Sequence, residues 1–332
     1  MAIDNIDFAF YLIVEWMQDT LEAFIGQVGP QKAIEIMRPY FLFAGASGDQ
    51  FAIQEYKIDG SDLEKIVSVM QEENIDLRKE LGPYEITPFG ARCDILNCNF
   101  KNSIPEMCEL ICVAAANGLC EGINTGYHCI IPMKMTFGAP HCRWIITKKP
   151  LIVNSDGYRE KALYVIPRKQ VDKAIRDKHG LMIFTACWIQ QILAIIETLG
   201  AKRTMEILSP CMRSSGLSAG LRIEKSLDLH KQDAIAISSV LDFINEGLSQ
   251  KGTNALYEPE TVIKEIVDCS LAGSPPEIEV CLLLEQFTNG ACEAINPNYE
   301  LFHTKAMCRG DKTCIRVIRR KKQLDYDTKP NR

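Results

Sequence analysis

An internal repeat constrains the fold of this chain more than any other feature of its sequence. When the sequence is shifted along itself by 171 to 172 residues, matching residues keep one register over about 130 positions. Residues 29–39 align with 200–210, and residues 117–124 (NGLCEGIN) align with 289–296 (NGACEAIN). Chance matches do not hold one register over such a distance, so the sequence predicts two related domains in tandem. The predicted boundaries are 1–150 for the first repeat, 151–167 for a linker or hairpin extension, 168–325 for the second repeat and 326–332 for a tail.

Both repeats have the same predicted order of elements. Apolar residues recur at three- and four-residue spacing in three successive segments, which is typical of helices. A β-prone stretch, a helix opened by a capping box (Ser103/Glu106 or Ser274/Glu277) and two strands around a tight turn follow. The predicted helices are 6–25, 30–46 and 61–80, then 170–199, 202–219 and 231–249. The β-prone stretches are 84–96 and 256–267, and the predicted strands are 127–136 and 142–147, then 299–307 and 314–318. The pattern predicts an α+β fold with two tandem homologous domains, each with helices packed on a small antiparallel sheet.

Composition narrows the range of partners. The 332 residues carry a net charge of −6, which disfavours a broad nucleic-acid-binding surface. The N-terminus lacks the pattern of a signal peptide, so we expect a cytoplasmic protein. The most apolar segment, 181–196, is shorter than the ~20 residues of a membrane span and is predicted to be a core helix. We therefore expect a small-molecule ligand or substrate, no nucleic acid and no membrane as partner, with homo-oligomerisation left open.

The chain has 14 cysteines, and six of them occupy matching positions in the two repeats. Three thiols from three different elements could bind a soft metal such as zinc or iron, or one of them could act as a nucleophile tuned by the others. Packing as a small apolar side chain is the alternative for each cysteine. The matched cysteines are Cys98, Cys120 and Cys142 in the first repeat and Cys269, Cys292 and Cys314 in the second.

The matched helix around residues 117–124 and 289–296 adds a second signal. Gly118 and Gly290 cost about 1 kcal/mol each in a helix interior, which indicates a close approach of another backbone or of a ligand. Glu121 and Glu293 follow the matched cysteines and are candidates for a ligand or a general base, with a solvated helix glutamate as the alternative.

Other candidates have weaker support from the sequence. Asp311 in the second hairpin turn is predicted to cap that turn, and His141 is predicted to face away from Cys142, because adjacent strand residues point to opposite faces. The basic run Arg316 and 319–322 is interpreted as a solvated tail. Four further cysteines have no counterpart in the second repeat: Cys93, Cys108, Cys112 and Cys129. Of these, the i,i+4 pair Cys108 and Cys112 could bind a metal, and packing in the core is the preferred alternative for that pair.

The segment 299–314, YELFHTKAMCRGDKTC, preceded by Cys292 and Cys269, resembles the L-2-amino-thiazoline-4-carboxylic acid hydrolase family. That family is in turn similar to the 4-vinyl-reductase domain, which shares the TRAPP-like α+β fold. In the first repeat Ala139 stands in place of the turn aspartate. The resemblance implies a hydrolase that opens a small sulfur- or nitrogen-containing ring. It also implies that Cys269, Cys292 and Cys314 form the site that matches the family pattern more closely, with Cys98, Cys120 and Cys142 as its counterpart.

Three functions remain open from the sequence. The first is a cysteine-dependent hydrolase, with or without a metal, that acts on a C–N bond of a small heterocyclic or amidine-like molecule, with Cys292, Cys314, Cys269 and Glu293 as catalytic residues. The second is a non-catalytic sensor or adaptor that binds a metal or small ligand, and the third is a thiolate metallocentre protein. We take the hydrolase as the prediction.

Overall fold

Helices dominate the start of each half of the chain, as the apolar periodicity predicts. The computed structural model describes residues 4–149, 163–248, 250–269 and 277–321. By internal contacts, the chain divides into a larger unit, Phe10–Thr204, and a smaller unit, Met1–Ala9 together with Met205–Arg332. In each unit the described strands form one antiparallel sheet packed with helices, so the protein belongs to the α+β class.

The six predicted helices are all present, three of them longer and three of them shorter than predicted. Pro105 begins a helical segment that continues without a break through a π-helical stretch, Cys108–Ala114, into the next α-helix. The helices are α1 Asn5–Val28, α2 Pro30–Glu55, α3 Asp62–Asp76, α4 Pro105–Met107, α5 Ala115–Ile123, α6 Lys173–Leu199, α7 Ala201–Leu227, α8 Ala234–Gly247 and α9 Glu277–Ile295. Helices α1, α2 and α7 extend beyond the predicted segments, whereas α3, α6 and α8 are shorter than predicted.

The described strands form one sheet in each unit. The strands are β1 Glu80–Leu81, β2 Glu85–Thr87, β3 Gly90–Asn97, β4 Tyr127–Met133, β5 Cys142–Lys148 and β6 Tyr164–Val165, then β7 Lys251–Tyr257, β8 Thr261–Asp268, β9 Tyr299–Lys305 and β10 Cys314–Arg320. The order is β4-β5-β3-β2-β6 in the larger unit, with β1 also paired to β3, and β9-β10-β8-β7 in the smaller unit. Strand β5, which begins at Cys142, and strand β10, which begins at Cys314, therefore each have a neighbouring strand on both sides.

The two β-prone stretches form strands, and one predicted helix cap is absent. The stretch 84–96 contains the hairpin β2–β3, and 256–267 belongs to the hairpin β7–β8. The capping box at Ser103 is wrong, because Ile104 is the N-cap residue, without a side-chain cap, and the helix starts at Pro105. The counterpart at Ser274 lies outside the described residues, as do the tail 326–332 and most of the predicted linker.

The two closing hairpins contain a short 3₁₀ helix each instead of a tight turn. These helices are Met135–Phe137 and Met307–Arg309. Each ends at a glycine with positive φ, Gly138 at 83° and Gly310 at 90°. In the second hairpin the Asp311 carboxylate accepts the Ala306 N–H at 2.9 Å, the turn-capping role that the sequence predicts.

Helix α6 is part of the core of the larger unit. Its Trp188 lies against Trp16, with ring centroids 5.1 Å apart, and donates Nε1–H to Thr20 Oγ1 at 3.2 Å. Arg176 at its start forms ion pairs with the buried Glu72 and Asp76 of α3. Among the described residues, α6 is the helix long and apolar enough to cross a membrane, and 61% of its most apolar window is buried inside the protein.

Candidate functional site

The smaller unit contains a small cavity lined by the residues that the sequence singles out around Cys314. Residues of α8, β8, α9, β9, the 3₁₀ helix Met307–Arg309 and β10 line it. Its volume is about 60 Å³, close to the space that two water molecules occupy. Four cysteines share this lining: Cys269, Cys281, Cys308 and Cys314.

Cys314 is held at the wall of this cavity by the closing hairpin. It begins β10, and its side chain packs with Ile266 and Ala306. The 3₁₀ helix turns the backbone N–H of Met307 toward it, and this N–H donates to Cys314 Sγ at 3.2 Å. A backbone donor that faces sulfur fixes the thiol in place and can hold negative charge on it.

The other three thiols have different surroundings. Cys269 Sγ accepts a hydrogen bond from Gln250 Nε2 at 3.7 Å. Cys281 on α9 lies close enough to Cys308 for the two thiols to interact, and burial together with this contact raises the pKa of Cys281. Cys281 is therefore a thiol rather than a thiolate at neutral pH.

A buried arginine supplies the cavity with positive charge. Arg316 is 6% exposed, and it is an inward-facing residue of β10 in the same alternation as Cys314 and Ile318. Its guanidinium donates to Asn245 Oδ1 at 3.4 Å and to His303 Nε2 at 3.3 Å. No carboxylate of the described residues lies within ion-pair distance of it, and the Asn245 Nδ2 donor is buried without a partner among those residues.

His303 connects this arginine to a carboxylate. Since His303 Nε2 accepts from Arg316, the ring is neutral with its proton on Nδ1, which lies 3.8 Å from Glu285 Oε2. Burial lowers the pKa of His303; Glu285 opposes this shift and Arg316 adds to it. The lining therefore combines a neutral imidazole, a buried cation and a backbone-bound thiol.

Two of the predicted catalytic residues are not part of the cavity lining. Cys292 is 1% exposed in α9, and burial raises its pKa to about 12. Glu293 is partly exposed and accepts two hydrogen bonds from Arg213 Nε and Nη2, at 3.0 and 2.7 Å. Of the predicted trio, the structure brings Cys269 and Cys314 to one cavity and leaves Cys292 in the core beside a surface ion pair.

The larger unit repeats part of this arrangement. Met135 N–H donates to Cys142 Sγ at 3.2 Å, and Cys98 lies near enough to contribute to the raised pKa of Cys142, after burial. The main electrostatic neighbours of Cys120 are Lys149 and Glu121, which form a 2.8 Å ion pair. Burial raises the pKa of Cys120 to about 12. Cys120, the middle cysteine of the predicted trio in this repeat, therefore has different surroundings from Cys98 and Cys142.

The unmatched cysteines of the first repeat lie near the matched ones. The Cys112 thiol interacts with both Cys98 and Cys108; contact with Cys112 raises the pKa of Cys98 and lowers the pKa of Cys108. The ammonium group of Lys79 lies 3.9 Å from Cys112 Sγ. Among the described residues, however, no three or more His, Cys, Asp or Glu side chains are grouped so as to hold a metal ion.

The two helical glycines have the role that the sequence predicts for a close backbone approach. A Cβ atom on Gly118 would lie 2.0 Å from the carbonyl oxygen of Leu42 in α2. A Cβ atom on Gly290 would lie 2.1 Å from the carbonyl oxygen of Arg213 in α7. These contacts set the distance between the long second helix of each half and the helix that carries the middle cysteine.

Sequence reasoning missed the polar residues of the cavity. Arg316 was assigned to the solvated basic run, and His303, Glu285, Cys281 and Cys308 have no counterpart in the first repeat to mark them. The sequence does contain one signal for this site: Asn245 lies 171 residues after Asn74, in the register of the repeat. In the structure, the side-chain Oδ1 of Asn245 accepts from Arg316, and that of Asn74 accepts from Lys79.

Comparison of the chain with protein-family models, with curated proteins and with solved structures finds no match in any of the three.

Proposed function

We propose that the chain consists of two related domains of the TRAPP- and 4-vinyl-reductase-like type. The equivalent sheet orders, β4-β5-β3-β2 and β9-β10-β8-β7, support this proposal. The paired glycine contacts and the two Met N–H to Cys Sγ hydrogen bonds, at 3.2 Å each, also support it.

We propose further that the smaller unit is a cysteine-dependent hydrolase that cleaves a C–N bond of a small heterocyclic or amidine-like substrate. The observation that carries this proposal is the position of Cys314, a thiol at a cavity wall with a backbone N–H aimed at its sulfur. Cys142 has the same hydrogen bond but does not line the cavity of the larger unit, which favours the smaller unit as the active one.

The charge of the cavity favours a substrate with a carboxylate. Arg316 and the free Nδ2 donor of Asn245 face it without a carboxylate partner among the described residues. A buried cation without an anion is unfavourable, and a substrate carboxylate supplies that anion. This fixes the orientation of a substrate whose reacting carbon then lies toward Cys314. Because the cavity of about 60 Å³ is smaller than the ~150 Å³ that accepts a benzene ring, its lining side chains must move outward to admit the substrate ring.

The reaction needs a nucleophile and a proton acceptor. When the substrate carboxylate binds Arg316, the Arg316 Nε–H turns from His303 Nε2 to the carboxylate and leaves that nitrogen free to accept a proton. Cys314 sulfur then attacks the electrophilic C=N carbon and its proton passes to His303 Nε2. The ring C–N bond then breaks, with the nitrogen taking up a proton from His303. Water hydrolyses the resulting thiol adduct, releasing the product and restoring the Cys314 thiol. Glu285 offsets the charge on protonated His303.

The test uses the full chain with 2-amino-thiazoline-4-carboxylate, the substrate that the resemblance implies. We expect turnover in the unmodified protein, a loss of at least ~100-fold in kcat/KM for Cys314→Ser and for His303→Gln, and little change for Cys292→Ser. Cys211→Ser, at a partly buried thiol outside the cavity lining, is the matched control.

Mass-spectrometric mapping of iodoacetamide labelling gives a substrate-independent readout. We expect Cys314 to be modified first and bound 2-amino-thiazoline-4-carboxylate to protect it. Binding without turnover would favour the sensor or adaptor function instead. Full activity in Cys314→Ser would exclude the thiol mechanism.

A further inference from the structure

The larger unit contains a cavity of its own, which the proposed reaction does not use. Its volume is about 250 Å³, and α2, α3, α5, α6 and residues near β1 and β5 line it. Most of the lining is apolar, including Met70, Ile111 and Ile183. The volume exceeds the ~150 Å³ of a cavity that accepts benzene. A ligand with a single ring therefore fits inside it.

Among the described residues that line this cavity, the one cation is Lys79, which is 7% exposed. Its ammonium donates to Asn74 Oδ1 at 2.7 Å, and it lies 3.9 Å from Cys112 Sγ and 4.9 Å from the centre of the Trp144 ring. Within the described part of the chain, no carboxylate lies at ion-pair distance from it, although Glu73 also lines the cavity. Asn74 and the indole are uncharged, and so is the Cys112 thiol, whose pKa is raised to about 12, mainly by its contact with Cys108. The thiols of Cys98, Cys108 and Cys142 are the further electrostatic neighbours of the ammonium group.

Two other cations of low exposure in the described part of the chain are neutralised by carboxylates. Lys264, 9% exposed, forms an ion pair with Asp242, and Arg176 pairs with Glu72 and Asp76. A buried charge without an anionic partner is costly, and a lysine inside an apolar cavity is the group that an incoming anion would neutralise. Like Arg316 in the smaller unit, Lys79 is a buried cation that lines a cavity and has no carboxylate partner among the described residues. The cavity at Lys79 is the larger of the two.

We propose that the cavity of the larger unit is a binding site for a small apolar monocarboxylic acid with a single ring. The carboxylate pairs with the Lys79 ammonium, which keeps its hydrogen bond to Asn74. The ring occupies the apolar space between Met70, Ile183 and the Trp144 indole. This site binds its ligand without reacting with it and does not depend on Cys314. The binding proposal and the hydrolase proposal can therefore be tested independently.

Titration calorimetry of the full chain at pH 7 tests the proposal with benzoate and cinnamate as probes and with benzamide and cinnamide as their neutral counterparts. We expect the carboxylates to bind at least tenfold more tightly than the amides. Lys79→Met should weaken carboxylate binding by ~10- to 100-fold and leave the amides unchanged. Lys79→Arg, which keeps the charge, should retain binding within a few-fold.

Lys134→Met is the matched control, because Lys134 belongs to the same unit, forms an ion pair with Glu109 and does not line the cavity. It should bind both carboxylates like the unmodified chain. The melting temperature of Lys79→Met without ligand should equal or exceed that of the unmodified chain, since an unpaired buried charge is removed. Failure of both carboxylates to bind, or equal affinity in Lys79→Met, would overturn the proposal.

Discussion

At the residue scale, buried charges define the two cavities more than the matched cysteines do. Of the three cysteines that the repeat marks in the second half, Cys269 and Cys314 line one cavity and Cys292 does not. The sequence did not identify Arg316, since an arginine that precedes a basic run is usually solvated. Strand alternation carries the missing information: Cys314, Arg316 and Ile318 are buried in β10, and every second residue of a strand faces the same side.

The buried imidazole of the smaller unit makes a prediction for the pH dependence of stability. Burial lowers the pKa of His303 below the value of ~6.5 that it takes in the unfolded chain. The unfolded state therefore binds a proton more readily than the folded state between these two values. This stabilising contribution is complete above about pH 6.5 and is lost as the pH falls from there through the folded-state pKa.

Urea unfolding of the full chain between pH 8 and pH 5 measures this contribution. We expect the free energy of unfolding of the unmodified chain to decrease below pH 6.5, and that of His303→Gln to decrease less over the same interval. The pKa of Glu285 is lowered, mainly by its contact with His303, so its effect belongs to a more acidic range, below about pH 4.5. Identical slopes for the two proteins would contradict the prediction.

At the scale of elements, the long helices could be predicted well and the short connections could not. Helices such as α1 and α6 carry an apolar stripe over many turns, so their periodicity outweighs local ambiguity. The capping box at Ser103 failed because Pro105 fixes the helix start one residue after Ile104, which is extended and caps nothing. The split of 84–96 into β2 and β3 depends on sheet pairing, which a local pattern does not contain.

The close contact between α2 and α5 predicts that a side chain at Gly118 destabilises the protein. Gly26 provides a control for which the opposite effect is expected. Alanine at Gly118 would place Cβ 2.0 Å from the Leu42 carbonyl oxygen, so the two helices must move apart. We expect Gly118→Ala to destabilise the protein by about 1–3 kcal/mol, despite the better helix propensity of alanine. Gly26 in α1 has open space around it, so Gly26→Ala should be neutral or stabilising by up to about 1 kcal/mol.

Urea denaturation of both variants decides this prediction, because each glycine belongs to the larger unit and reports on the same transition. Equal stabilities for Gly118→Ala and Gly26→Ala would show that α2 and α5 adjust without cost. The contact would then have no role in setting the position of the helix that carries Cys120.

At the scale of the whole molecule, the sequence repeat and the compact units divide the chain at different places. The repeat register identifies which segments are related and places 168–325 in one predicted domain. Packing places α6, Lys173–Leu199, in the larger unit, where Asp76 and Tyr56 hydrogen-bond to His179 Nδ1 at 2.7 and 2.9 Å. Related segments have similar apolar faces, so the sequence alone cannot decide which copy of a helix fills which core.

This division predicts how fragments of the chain behave. A fragment of residues 10–204 keeps α6, whose Phe184, Trp188 and Ile192 are buried in the larger unit, whereas a fragment of residues 10–167 ends at the predicted repeat boundary and lacks them. Losing these side chains removes the Trp16–Trp188 contact and several kcal/mol of apolar burial, a large part of the stability of a typical domain. We expect 10–204 to unfold cooperatively in urea and to show near-ultraviolet circular dichroism from packed aromatic rings, and 10–167 to show neither. A cooperative transition in the shorter fragment would mean that the repeat boundary, and not the packing of α6, delimits the folding unit.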